Sequence, residues 1–131
     1  MKEIEALQLP EDLRYAADHE WLRPGDPARI GISDYAQDQL GDIVFVELPA
    51  VGRRLERGEE FGTVESVKAV SSLYMPVGGE VVAVNTGLEA APEKVNADPY
   101  GDGWMVEVKV TDPAQIEALM DRAAYFKSLA G

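Results

Sequence analysis

Short runs of β-branched and aromatic residues, separated by turn residues, recur along this chain. Such runs are typical of half-buried strands, and they predict a mostly β fold. Asp42–Leu48 has the strongest β character, and its continuous apolar centre predicts a strand covered on both sides. The predicted strands are Trp21–Arg23, Ala28–Ile32, Asp42–Leu48, Phe61–Ser66, Val70–Met75, Glu80–Asn85 and Trp104–Val110.

A short helix is predicted directly after the first pair of strands. Ser33 is a good N-cap for a helix over Asp34–Leu40, and Gly41 would end it. The residues from 86 to 103 read as a loop, with one helical turn near Leu88–Ala91. Helices are therefore expected only at the periphery of the sheets.

The C-terminus carries the clearest helix signal. Asp112 at the N-cap, Pro113 at the first helical position and Gln115 two residues later resemble a capping box. Apolar residues at helical spacing then predict the buried face of one helix. These residues are Ile116, Leu119, Met120 and Ala123.

The strands Phe61–Ser66 and Val70–Met75 meet at a lysine. The reversal between them, Val67-Lys68-Ala69, contains none of the Gly, Asn or Asp residues that tight hairpin turns usually need. An exposed lysine has a pKa of about 10.4 and is a charged, poor nucleophile. A projecting tip also lacks the pocket that lowers the pKa of a Schiff-base lysine. The tip does offer access to a modifying enzyme and a rigid mount for a long swinging group.

Composition argues against several kinds of chemistry. The chain has 131 residues, no cysteine and one histidine, so thiol catalysis is absent and a zinc site is nearly excluded. Ser71 and Ser72 lack a plausible His/Asp relay. Gly101–Gly103 is too short for a phosphate-binding fingerprint, and Asp98 and Asp102 lack the spacing of a calcium loop. We expect no metal site and no catalytic residue.

Acidic residues outnumber basic ones 24 to 12, and the formal net charge is −12. Such a surface repels nucleic acid and anionic membranes and favours partners with basic docking faces, although it also simply keeps a small protein soluble. No run approaches the roughly 18 apolar residues of a membrane span. The acidic N-terminus differs from transit peptides and signal sequences, so we expect a cytoplasmic protein.

The segment GTVESVKAVSSLYMPVGGEVVAVN, Gly62–Asn85, resembles the attachment segment of lipoyl and biotinyl carrier domains. Such segments place the modified lysine at a hairpin turn, with a proline six or more residues later and a glycine before the next strand. Biotin carriers typically flank this lysine with methionines, whereas Val67 and Ala69 flank Lys68 here. The resemblance therefore implies lipoate in amide linkage to Lys68.

Three further blocks extend the resemblance to the glycine cleavage system H proteins: DHEW at Asp18–Trp21, GISDYAQDQLGDIVFVELPAVG at Gly31–Gly52 and VNADPYGDGWMVEVK at Val95–Lys109. The resemblance covers nearly the whole chain and implies one carrier domain over residues 1–131, with the lipoyl hairpin region at about 52–85. The implied fold is a hybrid barrel-sandwich of two antiparallel sheets, with a short helix after the first hairpin and a C-terminal helix outside.

The resemblance also implies a carrier function, without enzymatic activity of the chain itself. A lipoyl arm would take an aminomethyl group from glycine decarboxylase (P protein) to the aminomethyltransferase (T protein), and dihydrolipoamide dehydrogenase (L protein) would reoxidise the dithiol. Lipoate-attaching enzymes are further implied partners. Glu20 and His19 would contribute to a cleft that shelters the loaded arm, with Glu20 as a partner for the amine. We hypothesise that the lipoate-attaching enzyme recognises Glu65, Ser66, Val67 and Ala69.

Two other functions fit the lysine hairpin. A lipoyl domain of a 2-oxoacid dehydrogenase would carry acyl groups, although such domains are usually joined by flexible linkers to a catalytic core. An unmodified interaction module could also use the same hairpin fold. Intact-mass measurement after expression with lipoate separates the module from the carriers, because the module would gain no lipoyl increment.

Overall fold

The computed structural model describes residues 3–130. Within this range a 3-10 helix at Ile4–Ala6 precedes nine strands and five α-helices. The strands are β1 Arg14–Tyr15, β2 Glu20–Arg23, β3 Ala28–Ile32, β4 Ile43–Glu47, β5 Arg54–Leu55, β6 Glu60–Ser66, β7 Val70–Tyr74, β8 Gly79–Val84 and β9 Val106–Val110. The helices are α1 Asp34–Leu40, α2 Gly87–Ala90, α3 Lys94–Ala97, α4 Ala114–Glu117 and α5 Arg122–Ala130.

The strands form two antiparallel sheets, as the predicted mostly β fold requires. The larger sheet has the order β1-β2-β3-β9-β8-β5, and the smaller has the order β4-β6-β7. Residues from both sheets share one apolar core, which includes Ile30, Val64, Leu73, Val81 and Val106. Burial of these side chains is the main force that holds the sheets together.

A second, aromatic cluster joins the C-terminal helix to the larger sheet. Tyr15, Trp21, Tyr100 and Tyr125 are buried in it together with leucines from the N-terminal segment. The rings of Tyr15 and Tyr125 stack with their centroids 4.5 Å apart. This cluster packs α5 against β1 and β2, next to the residues that begin the DHEW segment.

The helix predicted after the first hairpin is confirmed. Ser33 accepts a hydrogen bond from the Ala36 amide at 3.2 Å, which satisfies a free N–H of the first turn of α1. Gly41 ends the helix with a φ of 78°, a conformation that glycine adopts without steric cost. The predicted strands are also found, with their ends shifted by one or two residues.

The prediction that Asp42–Leu48 is covered on both sides is wrong. In β4, Val44 and Phe45 are 48% and 52% exposed, whereas Ile43 and Val46 are buried. The pairing of β4 with β6 shifts register between Ile43 and Phe45, so two apolar residues face solvent there. Nothing within residues 3–130 fully covers these two side chains, so only part of the apolar run belongs to the core.

The single C-terminal helix is also a wrong prediction, because the segment forms α4 and α5 with a break between them. Met120 pairs instead with Tyr15 of β1, through backbone hydrogen bonds of 2.8 and 2.9 Å. An amide engaged in a bridge to β1 cannot also continue a helix. Ala123 is exposed, and Tyr125 supplies the buried side chain of α5.

The predicted start of that helix is partly correct. The Asp112 carboxylate accepts from the Ala114 amide at 3.1 Å. The Gln115 side chain does not complete a capping box, because its oxygen accepts from the Gly78 amide at 2.7 Å. Ile116 and Leu119 pack against the main core, as their spacing predicts.

The loop from 86 to 103 has more structure than the sequence predicts. It contains two short helices, α2 near the predicted turn and α3, which was not predicted. No helix within residues 3–130 is both long and apolar enough to cross a bilayer. Across the same range, no three His, Cys, Asp or Glu side chains are grouped so that they could hold a metal ion.

Candidate functional site: the lysine hairpin and its neighbouring cleft

Ser66 builds the turn that carries Lys68. Its hydroxyl oxygen accepts from the amides of Lys68 and Ala69 at 3.2 and 3.1 Å, and its own amide donates to the Ala69 carbonyl at 2.7 Å. Among the described residues, only His19 and four glycines outside the tip have positive φ, so the reversal contains no left-handed residue. The reversal thus lacks the usual turn residues, as the sequence indicates, and the hydroxyl of the preceding Ser66 does the work of the usual glycine or asparagine.

The tip of the hairpin projects into solvent. Val67, Lys68 and Ala69 are all exposed, whereas Ser66 is buried at the base of the tip. The Val67 amide donates to the Asp42 carbonyl at 3.0 Å, which joins the tip to the start of β4. The lysine side chain is therefore accessible to solvent, and hydrogen bonds fix the backbone of the turn that carries it. Asp42 contributes through its backbone only, so no sequence signal could have identified it.

Apolar side chains and one carboxylate surround the lysine. Val67 and Val70 are about two-thirds exposed, at 70% and 67%. Glu65 is also exposed and lies between Phe45 and Val70 in one cross-strand row of the smaller sheet. The exposed surface beside Lys68 is therefore largely apolar, with the Glu65 carboxylate between the side chains of Phe45 and Val70. The structure brings Glu65, Val67 and Lys68 together at this surface.

Glu20, the first residue of β2, is a buried carboxylate with an incomplete set of partners. It is 2% exposed, and its Oε2 accepts from the Tyr74 amide at 3.3 Å. Among the described residues, its Oε1 is the one buried side-chain oxygen or nitrogen without a hydrogen-bond partner. Burial raises the pKa of Glu20 to about 8; the Tyr74 amide opposes this shift and the nearby Asp18 carboxylate adds to it.

Glu20 lines a cleft at the C-terminal end of β7, whereas Lys68 precedes the N-terminal end of this strand. The cleft has a volume of about 360 Å³ and is also lined by Asp18, Arg57 and Met75. Lys68 to Tyr74 spans six residues, or roughly 20 Å of extended chain at about 3.3 Å per residue. Strand β7 therefore connects the lysine tip to the buried carboxylate along one edge of the smaller sheet.

His19 lies next to Glu20 in sequence but is placed differently. It has a φ of 76°, and its Nδ1 is 2.8 Å from the Tyr125 hydroxyl. Its ring also contacts Tyr35, with the centroids 4.8 Å apart. His19 is not among the residues that line the cleft, and partial burial lowers its pKa. The structure thus places Glu20 at the cleft and His19 against α5.

An exposed lysine at a hairpin tip, mounted on two small antiparallel sheets, is the arrangement of the lipoyl-carrier class of proteins. The buried carboxylate at the far end of the same hairpin adds a second polar element that a simple β-sandwich does not require.

Comparison with known proteins specifies the family. The family model described as glycine cleavage H-protein matches residues 13–130. A glycine cleavage system H protein of Symbiobacterium thermophilum is 55% identical over 118 residues, 89% of this chain and 92% of that protein. One of Anaeromyxobacter sp. strain K is 54% identical over 120 residues, 91% of this chain and 94% of that protein.

A solved structure agrees. The crystal structure of a glycine cleavage system H protein from Mycobacterium marinum superposes with a TM-score of 0.86 at 41% identity, and covers 94% of this chain and 100% of that chain. The present chain belongs to the glycine cleavage H-protein family. It is a lipoyl carrier of the glycine cleavage system, and the family match disfavours the 2-oxoacid dehydrogenase alternative.

Proposed function

We propose that Lys68 carries lipoate in amide linkage, and that the chain is a non-enzymatic shuttle within a single carrier domain. One observation carries this proposal: Lys68 is exposed at the tip of the hairpin, and the Ser66 hydroxyl holds the turn of that tip. A catalytic lysine is normally buried, since burial is what lowers its pKa. An accessible lysine on a hydrogen-bonded mount suits covalent attachment instead.

The residues around Lys68 fit a lipoyl group. Lipoate would supply a disulfide that opens by thiol exchange, a chemistry that a chain without cysteine otherwise lacks. Amide formation removes the charge of Lys68, so its alkyl stem can lie against the neighbouring apolar side chains of Val67 and Val70. Attachment to a docking protein also raises the effective concentration of the group at each partner's active site.

Glu20 is the residue that we assign to the amine of the cargo. Glu20 lines the cleft, and its buried Oε1 has no hydrogen-bond partner among residues 3–130, so a protonated aminomethyl nitrogen would provide the missing donor. The same cation would favour the ionised form of the carboxylate, whose pKa burial otherwise raises. His19 supports this position indirectly, through its hydrogen bond to Tyr125 beside β2.

The proposed partners are glycine decarboxylase, the aminomethyltransferase, dihydrolipoamide dehydrogenase and a lipoate-attaching enzyme. A net charge of −12 favours basic docking faces on these proteins. For the lipoate-attaching enzyme, the recognition residues would be Glu65, Val67 and Ala69 at the surface, with Ser66 holding the turn.

Intact-mass measurement and a reconstituted assay test this proposal together. The protein is expressed with lipoate and a lipoate ligase, and we expect one lipoyl increment that is absent from Lys68→Arg. Glycine–bicarbonate exchange with glycine decarboxylase is then compared for lipoylated and unmodified protein, and only the lipoylated form should support it. A biotin increment, or no increment at all, would contradict the proposal.

A further inference from the structure

The loop between α1 and β4 holds the lysine tip from outside the hairpin. The Asp42 carbonyl accepts from the Val67 amide at 3.0 Å, one residue before Lys68. Gly41 lies directly beside the lysine, since a Cβ added there would be 3.5 Å from Lys68 Cε. The direction in which Lys68 projects therefore depends on where residues 41–43 are placed.

One side chain, Asn96 of α3, holds this loop at both ends. Its Oδ1 accepts from the Ile43 amide at 2.8 Å, and its Nδ2 donates to the Gly41 carbonyl at 2.9 Å. The Asp42 carbonyl that receives the Val67 amide lies between these two bonded residues. Asn96 thus hydrogen-bonds to the loop on both sides of Asp42, the residue that contacts the tip. In sequence, Asn96 is 28 positions away from Lys68.

A third hydrogen bond fixes the orientation of the Asn96 amide. Its Nδ2 also donates to the Gln37 Oε1 at 2.9 Å, and Gln37 in turn donates to the buried Asp34 at 2.7 Å. A side-chain amide offers two donors and an acceptor, which is the set that these three partners need. Aspartate would offer only acceptors to the Gly41 and Gln37 oxygens.

We infer that Asn96 is a positioning residue for the modification of Lys68, because it holds the loop that orients the hairpin tip. The inference rests on the proposed lipoylation of Lys68. Without the Asn96 bonds, the tip samples orientations that the lipoate-attaching enzyme does not recognise. The apparent affinity of that enzyme for the carrier then falls in proportion to the competent fraction, while the chemical step is unchanged.

Steady-state lipoylation of the Asn96→Ala apo-protein by a lipoate ligase tests the inference. We expect the KM for the carrier to rise roughly fivefold, the equivalent of one lost net hydrogen bond, with kcat near the wild-type value. The Val67 amide, followed by NMR hydrogen exchange, should also exchange faster than in the wild type. Assays are run well below the melting temperature of each variant, so that a merely less stable fold does not change KM.

Asn85→Ala is the matched control. Asn85 is also half-buried and makes three hydrogen bonds, to the carbonyls of Asp102 and Trp104 and from the amide of Gly87. None of these partners belongs to the loop or the tip. The control should lose similar stability and yet keep the wild-type KM and the wild-type exchange of the Val67 amide.

A second variant covers the case in which Asn96→Ala does not fold. Asn96→Asp keeps an acceptor for the Ile43 amide but loses both donated bonds, and it should also raise KM. A folded Asn96 variant with wild-type KM and wild-type Val67 exchange would overturn the inference, as would an equal rise in KM in Asn85→Ala. If the wild type itself gains no lipoyl group, the proposed function fails, and Val67 exchange still decides whether Asn96 holds the tip.

Discussion

Replacement of Glu20 by glutamine should change how stability depends on pH. Glu20 is 2% exposed, and burial raises its pKa from 4.5 to about 8. Between these values the unfolded chain has lost the proton and the folded chain has kept it. The free energy of unfolding of the wild type therefore falls as pH rises through this window.

The magnitude follows from the size of the pKa shift. Each unit corresponds to about 1.4 kcal/mol, so the Glu20 contribution lost between pH 4.5 and pH 8 is about 4 kcal/mol. Glutamine has nearly the same shape and does not titrate, but its amide nitrogen replaces the unpartnered Oε1 and costs about 1–2 kcal/mol at every pH. Glu20→Gln should thus be less stable than wild type below pH 5 and more stable, by about 2–3 kcal/mol, at pH 8.

Urea unfolding of unmodified protein at pH 4.5, 6, 7 and 8 measures the two curves. The difference between wild type and Glu20→Gln isolates this carboxylate from the other titrating groups. Glu117→Gln is the control, because Glu117 is exposed and its replacement removes one surface carboxylate without changing a buried group. Parallel curves for wild type and Glu20→Gln would refute the reasoning, since Glu20 would then not be desolvated by folding.

Three further substitutions test the hairpin. Lys68→Arg should have the wild-type melting temperature but show no lipoyl increment by intact mass, because a guanidinium cannot form the amide. Residual aminomethyl transfer by this variant would contradict the carrier function. Glu65→Ala should slow lipoylation while stability changes by less than about 0.5 kcal/mol, and a wild-type rate would make Glu65 only a solvated strand residue. Ser66→Ala should lower the free energy of unfolding in urea by about 1 kcal/mol, because the Lys68 and Ala69 amides lose their acceptor. An unchanged urea midpoint would rule out the turn built by the serine hydroxyl.

The wrong predictions share a physical cause: each depends on whether a distant part of the chain packs against the segment. The helical spacing of Ile116 and Leu119 correctly predicted that they pack against the core, where both are partly buried. The backbone bridge between Met120 and Tyr15 prevents one continuous helix through this segment. The apolar run in β4 predicted a strand, but whether both of its faces are covered depends on the other elements that pack against it. Val44 and Phe45 are exposed because no part of residues 3–130 covers that face.

Local chemistry along the chain determined the strand runs, the Ser33 cap, the Gly41 helix end and the lysine at a strand reversal, because each depends on neighbouring residues only. Tertiary structure alone decided that Glu20 is buried, with one carboxylate oxygen that has no hydrogen-bond partner in the described part of the chain. It also decided that Asn96 hydrogen-bonds to the loop beside Lys68. Burial and long-range hydrogen bonds are set by residues that folding brings together from distant positions. Propensity and periodicity in the sequence contain no information about such pairs.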